Sequence, residues 1–159
     1  MVKSKGESFM TEKRDIFDKI MTLPVLNIFE PFYKKNKEVL LYLFFGGLTF
    51  VVSIVSYVIF DVALAMNELV ANVLSWILAV SFAYITNKIW VFDAPTHTIK
   101  EFVKQLLSFF GGRVATLVIE ELILLVFVTL LAFPSVPVKV VAQVIVIILN
   151  YVISKLWVF

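Results

Sequence analysis

Four charged side chains stand where the sequence is otherwise apolar. Arg113, Glu120 and Glu121 interrupt the run from about Gln105 to Phe133, and Lys139 precedes the run from Val140 to Ser154. An ionised group at the centre of a membrane helix costs roughly 2.5–3.5 kcal/mol, so such residues are usually paired or functional. The chemistry they suit is carriage of an anion through oil. Arg113 offers a fixed fork of donors that can hold a phosphate bidentately, about one helical turn inside the boundary of its run. Glu120, about two turns deeper at ~1.5 Å per residue, approaches the midplane. Lys139 enters from the other end, so Arg113 and Lys139 form two cationic stations. Two structural alternatives stand beside this: an ion pair from Arg113 to a glutamate across the bundle, and an interfacial Lys139 that only snorkels. Glu121 points elsewhere.

Residues three, four, seven or eleven apart share a helix face, and each apolar run carries one polar or small-residue stripe. These are Gly46, Thr49, Ser53 and Ser56; Asn72, Ala79, Ala83 and Asn87; Phe109, Arg113, Thr116 and Glu120; and Lys139, Gln143 and Asn150. Turned inward together they line a polar groove. The competing explanation is that small and hydroxyl residues let membrane helices approach closely, and for the first two runs it is preferred.

Other chemistries find little support. No nucleophile and base are arranged with a third orienting group, so the chain is not expected to be an enzyme. Zero cysteines and a lone His97 provide no metal site, and no cofactor is expected. The basic residues before Val39 are explained by topology and anionic lipid, not by nucleic acid.

The elements that must position these residues follow from composition. With 61% hydrophobic residues, 16 Phe and a mean hydropathy of +0.98 in 159 residues, the bilayer is the solvent. Val39 to Phe60 and Leu69 to Asn87 carry no charge and reach the roughly 20 residues a spanning helix needs. Adding the two later runs, the expectation is an all-α integral membrane protein with four transmembrane helices. The N-terminal region lacks a secretory h-region, which leaves the first span as the insertion signal.

Those helices come as a duplication. Asn87-Lys-Ile-Trp-Val-Phe92 nearly recurs as Ser154-Lys-Leu-Trp-Val-Phe159, and Phe44-Phe-Gly-Gly47 recurs as Phe109-Phe-Gly-Gly112, so one unit of two helices is about 66 residues long. Eight Lys/Arg precede Val39, and Lys88, Lys100 and Lys104 surround the middle connection. The positive-inside rule then puts both termini and the 93–99 loop in the cytoplasm, with the Asp61 to Glu68 and Phe133 to Lys139 turns outside. An even number of spans per unit makes this a parallel repeat of two helix pairs. Lys88, Lys155, Trp90, Phe92, Trp157 and Phe159 fit a headgroup-level belt. Residues 1–37 form a separate segment, an amphipathic surface helix or loosely ordered tail divided by Pro24 and Pro31; residues 38–159 form the membrane domain.

The doubled Lys-x-Trp-Val-Phe endings, the Phe-Gly-Gly-Arg-Val-Ala-Thr start of the third span and the Asn150-Tyr151 of the fourth resemble the GtrA-like family of small four-span proteins. The likeness covers about Glu38 to Phe159 and is nearest to the Gram-positive, GtcA-type branch implicated in teichoic acid glycosylation. Its pattern carries onto Asn87, Phe92, Phe109, Arg113, Lys139 and Asn150 and departs at Ser53, where many relatives have asparagine.

The resemblance implies a flippase for an undecaprenyl phosphate carrying one sugar, made by a glycosyltransferase at the cytoplasmic face and consumed by another outside. Arg113 would capture the phosphate and Lys139 receive it, Glu120 would keep Arg113 from trapping it, and Asn87, Gln143 and Asn150 would bond the sugar. Four spans are too thin to surround a sugar, so a homo-oligomer is expected. The runner-up is a non-transporting subunit that recruits or stabilises a glycosyltransferase. A proton-coupled cation exporter would need a glutamate in the first span, which has none.

Overall fold

The computed structural model describes residues 16–21 and 27–159. Those residues are helical or in short connections. The helices are α1 (Ile16–Met21), α2 (Glu30–Val58), α3 (Glu68–Thr86), α4 (Ile99–Leu124) and α5 (Ser135–Ile153). The chain divides into two units, Met1–Lys37 and Glu38–Phe159. In the first, Lys37 pairs with Asp18 at 2.6 Å, and α2 has non-helical backbone at Asn36, whose amide bonds the Phe32 carbonyl at 3.0 Å. Most of the segment expected to lie on the membrane surface, Pro24 included, falls outside the described residues.

The second unit repeats one succession. After α2, α3, α4 and α5 the helix widens into a π turn, at Ile59–Ala63, Asn87–Val91, Leu125–Leu130 and Ser154–Val158. Three of these turns stop at a non-glycine residue with positive φ: Ala65 (48°), Asp93 (43°) and Ala132 (55°). The left-handed residue turns the N–H group that follows it back onto the helix: Met66 bonds the Phe60 carbonyl at 3.0 Å, Ala94 bonds that of Lys88 at 3.0 Å and Phe133 bonds that of Phe127 at 2.9 Å. Carbonyls that a helix end leaves bare are thereby satisfied, which matters most where no water can reach them.

Helix starts are capped by side chains. Asn67 accepts the Leu69 N–H at 3.0 Å, and Thr98 accepts the Glu101 N–H at 3.2 Å while Glu101 reaches back to the His97 N–H at 2.9 Å, a capping box with its return arm one residue early. That backbone bond, ahead of the Thr98 contacts, pulls the Glu101 carboxyl below its ordinary range.

Glu30–Ala63, Glu68–Val91 and Ser135–Val158 are long and apolar enough to cross a membrane. The chain is thus a multi-pass membrane protein. α4 is as long but carries Arg113, Glu120 and Glu121, and by composition it is not among the three. Its packing is intimate all the same: a Cβ on Gly112 would stand 2.9 Å from Ile153 Cγ2 of α5. The core is small and aromatic, with Val80, Ala83, Tyr84 and Phe109 buried among Trp76, Leu106, Phe110, Val158 and Phe159. Phe92 and Phe159, the last residues of the duplicated motifs, stack on each other at 5.0 Å. Most other large apolar side chains face outward, as bilayer-facing surfaces do.

Candidate functional site

The polar stripes of α4 and α5 meet face to face. Thr116 is one turn from Arg113, and its single hydroxyl hydrogen has two acceptors within reach, the Arg113 carbonyl at 3.1 Å and Asn150 Oδ1 at 2.9 Å. One turn further, Glu120 is buried and accepts from Gln143 Nε2 at 2.5 Å and from Lys139 Nζ. Helical spacing accounts for this: 113, 116 and 120 share one face of α4, and 139, 143 and 150 share one face of α5.

Beside this seam a cleft of about 620 Å³ opens between α2, α3 and α5. Gly46, Thr49 and Ser53 line it from α2, Ala79 and Ala83 from α3 with Asn87 just beyond, Arg113 from α4, and Gln143 and Asn150 from α5. Parts of all four stripes thus reach one space. The glycines of α2 do not serve packing here: a Cβ on Gly46 or Gly47 would meet no atom within 4 Å, so they widen the cleft. Thr49 returns its hydroxyl to the Phe45 carbonyl at 2.8 Å, as Ser56, which does not line the cleft, does to Val52 at 2.7 Å.

Two features of the cleft suit a polar ligand. The Arg113 guanidinium lies 4.7 Å from the Phe109 ring centroid, and among the described residues no carboxylate pairs with it. Phe109 is 2% exposed and held by Tyr84 and Phe159, so it is a rigid apolar seat that orients the cation without neutralising it. Asn87 is 3% exposed; its Nδ2 donates to the Ala83 carbonyl at 2.7 Å, but its buried Oδ1 has no partner among the described residues. An unmade bond of this kind costs about 1–3 kcal/mol and marks an acceptor open to a donor.

Not every expected residue reaches this space. Lys139 does not line the cleft; it is held by Glu120 at the far end of the seam. Glu120 therefore faces Lys139 and Gln143, not Arg113, so neither the expected brake on Arg113 nor an Arg113–glutamate pair is present among the described residues. The physical reason is reach: Glu120 stands two turns beyond Arg113 on its own helix, while Lys139 and Gln143 come to it from the facing one. Phe92 packs on Phe159 and Tyr151 outside the cleft wall, and Glu121 is exposed.

Sequence reasoning took Lys88 and Lys155 as headgroup anchors and missed what they hold. Tyr84 and Lys88 converge on Gln105 Oε1 at 2.9 and 2.6 Å, while Tyr151 and Lys155 converge on Glu38 Oε1 at 2.6 and 2.8 Å. The signal was present as a Tyr-x-x-x-Lys repeated in both halves, two residues one turn apart on a helix.

The model of the GtrA/DPMS transmembrane domain matches residues 41–159. A cell wall teichoic acid glycosylation protein, GtcA of Listeria innocua, is 34% identical over 151 residues, 94% of this chain and 97% of the relative. Its counterpart from Listeria monocytogenes is 36% identical over 122 residues, 77% and 84% of the two chains. An uncharacterized membrane protein of Bacillus subtilis, YwcD, is 34% identical over 119 residues, 75% and 94% of the two. No solved structure matches significantly.

Proposed function

The chain belongs to the family of the GtrA/DPMS transmembrane domain, and from that premise we propose that it serves cell-wall glycosylation as a flippase. It moves a polyprenyl-phosphate-linked monosaccharide from the cytoplasmic to the outer leaflet, for polymers such as teichoic acid. The observation that carries this reading is one cleft holding both an arginine that no described carboxylate neutralises and a buried amide oxygen, Asn87 Oδ1, with no partner among the described residues.

The lipid tail of such a substrate stays in the bilayer throughout. Only the phosphodiester charge and the sugar hydroxyls meet a barrier, because unpaired polar groups are costly in oil. Arg113 takes the phosphate, and its guanidinium, backed by Phe109, is free to bond two oxygens. A sugar hydroxyl donates to Asn87 Oδ1, while Asn150 and Gln143 offer amide hydrogens from α5. Binding this light lets the substrate leave again. The sequence contains no Gly-x-x-x-x-Gly-Lys phosphate loop, and flow follows the substrate gradient.

In this reading α4 is a fourth span. Two of its charges are accommodated, since Glu120 is paired with Lys139 and Gln143, and Arg113 rests on Phe109 at the edge of the cleft. The topology is then two parallel helix pairs with both termini cytoplasmic. A homo-oligomer closes the open side of the cleft, and glycosyltransferases at the two faces load and unload it.

The test is Arg113→Gln in cells whose only copy carries it, at wild-type abundance. Loss of most wall-polymer sugar supports transport. Unchanged decoration contradicts it and points to a non-transporting subunit.

A further inference from the structure

Two carboxylates outside the cleft wall are bound in the same way by one helix. Glu38 accepts from Lys155 at 2.8 Å and from Tyr151 at 2.6 Å; Glu120 accepts from Lys139 and, at 2.5 Å, from Gln143. Each site is one lysine plus one neutral donor, and all four donors belong to the rod Ser135–Val158. One carboxylate is on α2, the other on α4.

The cleft lies between the two. Along the last rod its lining residues Gln143, Val146, Ile147 and Asn150 fall after Lys139 and before Tyr151 and Lys155. On α2 the lining starts at Tyr42, one turn past Glu38, and on α4 it includes Arg113, two turns before Glu120. Gln143 belongs both to the cleft wall and to the Glu120 site, so motion at that site reaches the cleft directly.

We propose that these are two latches, Glu38 with Tyr151 and Lys155 at one end and Glu120 with Lys139 and Gln143 at the other, which release alternately to open the cleft to one face at a time. The proposal rests on the flippase reading and describes how that site is gated. The duplication supplies a control: Tyr84 and Lys88 make the corresponding clamp on Gln105, a neutral amide. A lysine bonded to a carboxylate gains the full attraction of opposite charges that a lysine bonded to a neutral amide lacks, so the clamp on Glu38 holds more tightly than the clamp on Gln105 and is weakened when its carboxylate becomes an amide. Both lysines are about half exposed, 47% for Lys155 and 51% for Lys139, and so can rehydrate when a latch opens.

The chain has no cysteine, so one reporter can be installed cleanly. Gly46→Cys places a thiol in open cleft space. In sealed vesicles of known orientation, its labelling by a membrane-impermeant maleimide is measured from each face. Glu38→Gln, which turns the clamp into a copy of its Gln105 counterpart, is expected to speed labelling from the Glu38 face about tenfold. Glu120→Gln is expected to do so from the opposite face only. In a chain that also carries Glu38→Cys and Lys155→Cys, joining those two introduced thiols with a short reducible crosslinker should abolish labelling at position 46 from the Glu38 face, read on the peptide that carries that position, until the crosslink is reduced and the reductant removed.

Equal labelling from both faces in all variants, or a rate unmoved by crosslinking, would overturn the latches even if sugar transport were intact. Face-specific changes, together with a wild-type chain that moves no sugar lipid, would keep the latches and remove the flippase. Gel filtration of each variant, together with reversal of the crosslink, separates a gating effect from misfolding.

Discussion

Lys139 bonds the buried carboxylate of Glu120 across the interface of α4 and α5. The pair is lopsided, since the Glu120 side chain is 8% exposed and that of Lys139 is 51%. Removing the lysine leaves a buried charge with Gln143 as its remaining partner among the described residues, whereas removing the carboxylate leaves a lysine that can reach water. Lys139→Met is therefore expected to cost about 1–3 kcal/mol, below the range for fully buried pairs, and Glu120→Gln distinctly less. The double variant should recover most of the loss. Thermal unfolding in detergent checks this, and strictly additive losses would contradict it.

Asn87 is expected to trade stability for function. Its Oδ1 is buried without a described partner, while its Nδ2 bond goes to a carbonyl already engaged by the helix backbone. Asn87→Leu should raise the unfolding temperature of the ligand-free protein, by about 1 kcal/mol of added stability, and lower sugar delivery. A destabilised variant with full delivery would show that the amide is structural.

The glycines divide into two kinds. Gly112→Ala drives a Cβ to 2.9 Å from Ile153 Cγ2, for an expected loss of about 1–3 kcal/mol, and Ile153→Ala should restore part of it. Gly46→Leu meets nothing near its Cβ, so it should fold normally while filling the cleft and stopping transport. Stability and transport measured on both variants separate packing from clearance.

Acid should weaken the start of α4. The Glu101 carboxyl is held below its ordinary range, chiefly by the His97 N–H. A depressed carboxyl contributes stability above its unfolded pKa and loses it as pH falls through its folded one. The wild type should thus exceed Glu101→Gln in unfolding temperature at neutral pH and converge with it in acid. A gap that persists well below the carboxylate range would refute this.

Much of this arrangement was legible in the residues. The stripe 113, 116, 120 and its partner 139, 143, 150 are fixed by helical period alone, and the structure brings them into contact. Which side chain pairs with which was not legible, because it depends on how far one helix slides along another: Glu120 meets Lys139 and leaves Arg113 to the cleft. Phe109 carried no readable role, since a ring buried at 2% looks like any core aromatic until a guanidinium is seen on its face. The π turns and the left-handed Ala65, Asp93 and Ala132 had no glycine to announce them. Lys88 and Lys155 looked like anchors because their partners, Gln105 and Glu38, lie far along the chain.

Whether the Arg113 cleft carries a sugar phosphodiester across the bilayer can be read in vesicles loaded with a labelled polyprenyl-phosphate monosaccharide, whose inner-leaflet pool becomes accessible to an outside reagent only if it is moved. Fast exposure of that pool is expected with the wild-type chain, and a rate near that of empty vesicles with Arg113→Gln. An inner pool as inaccessible with the wild-type protein as without it, or one moved equally well by Arg113→Gln, would contradict the flippase.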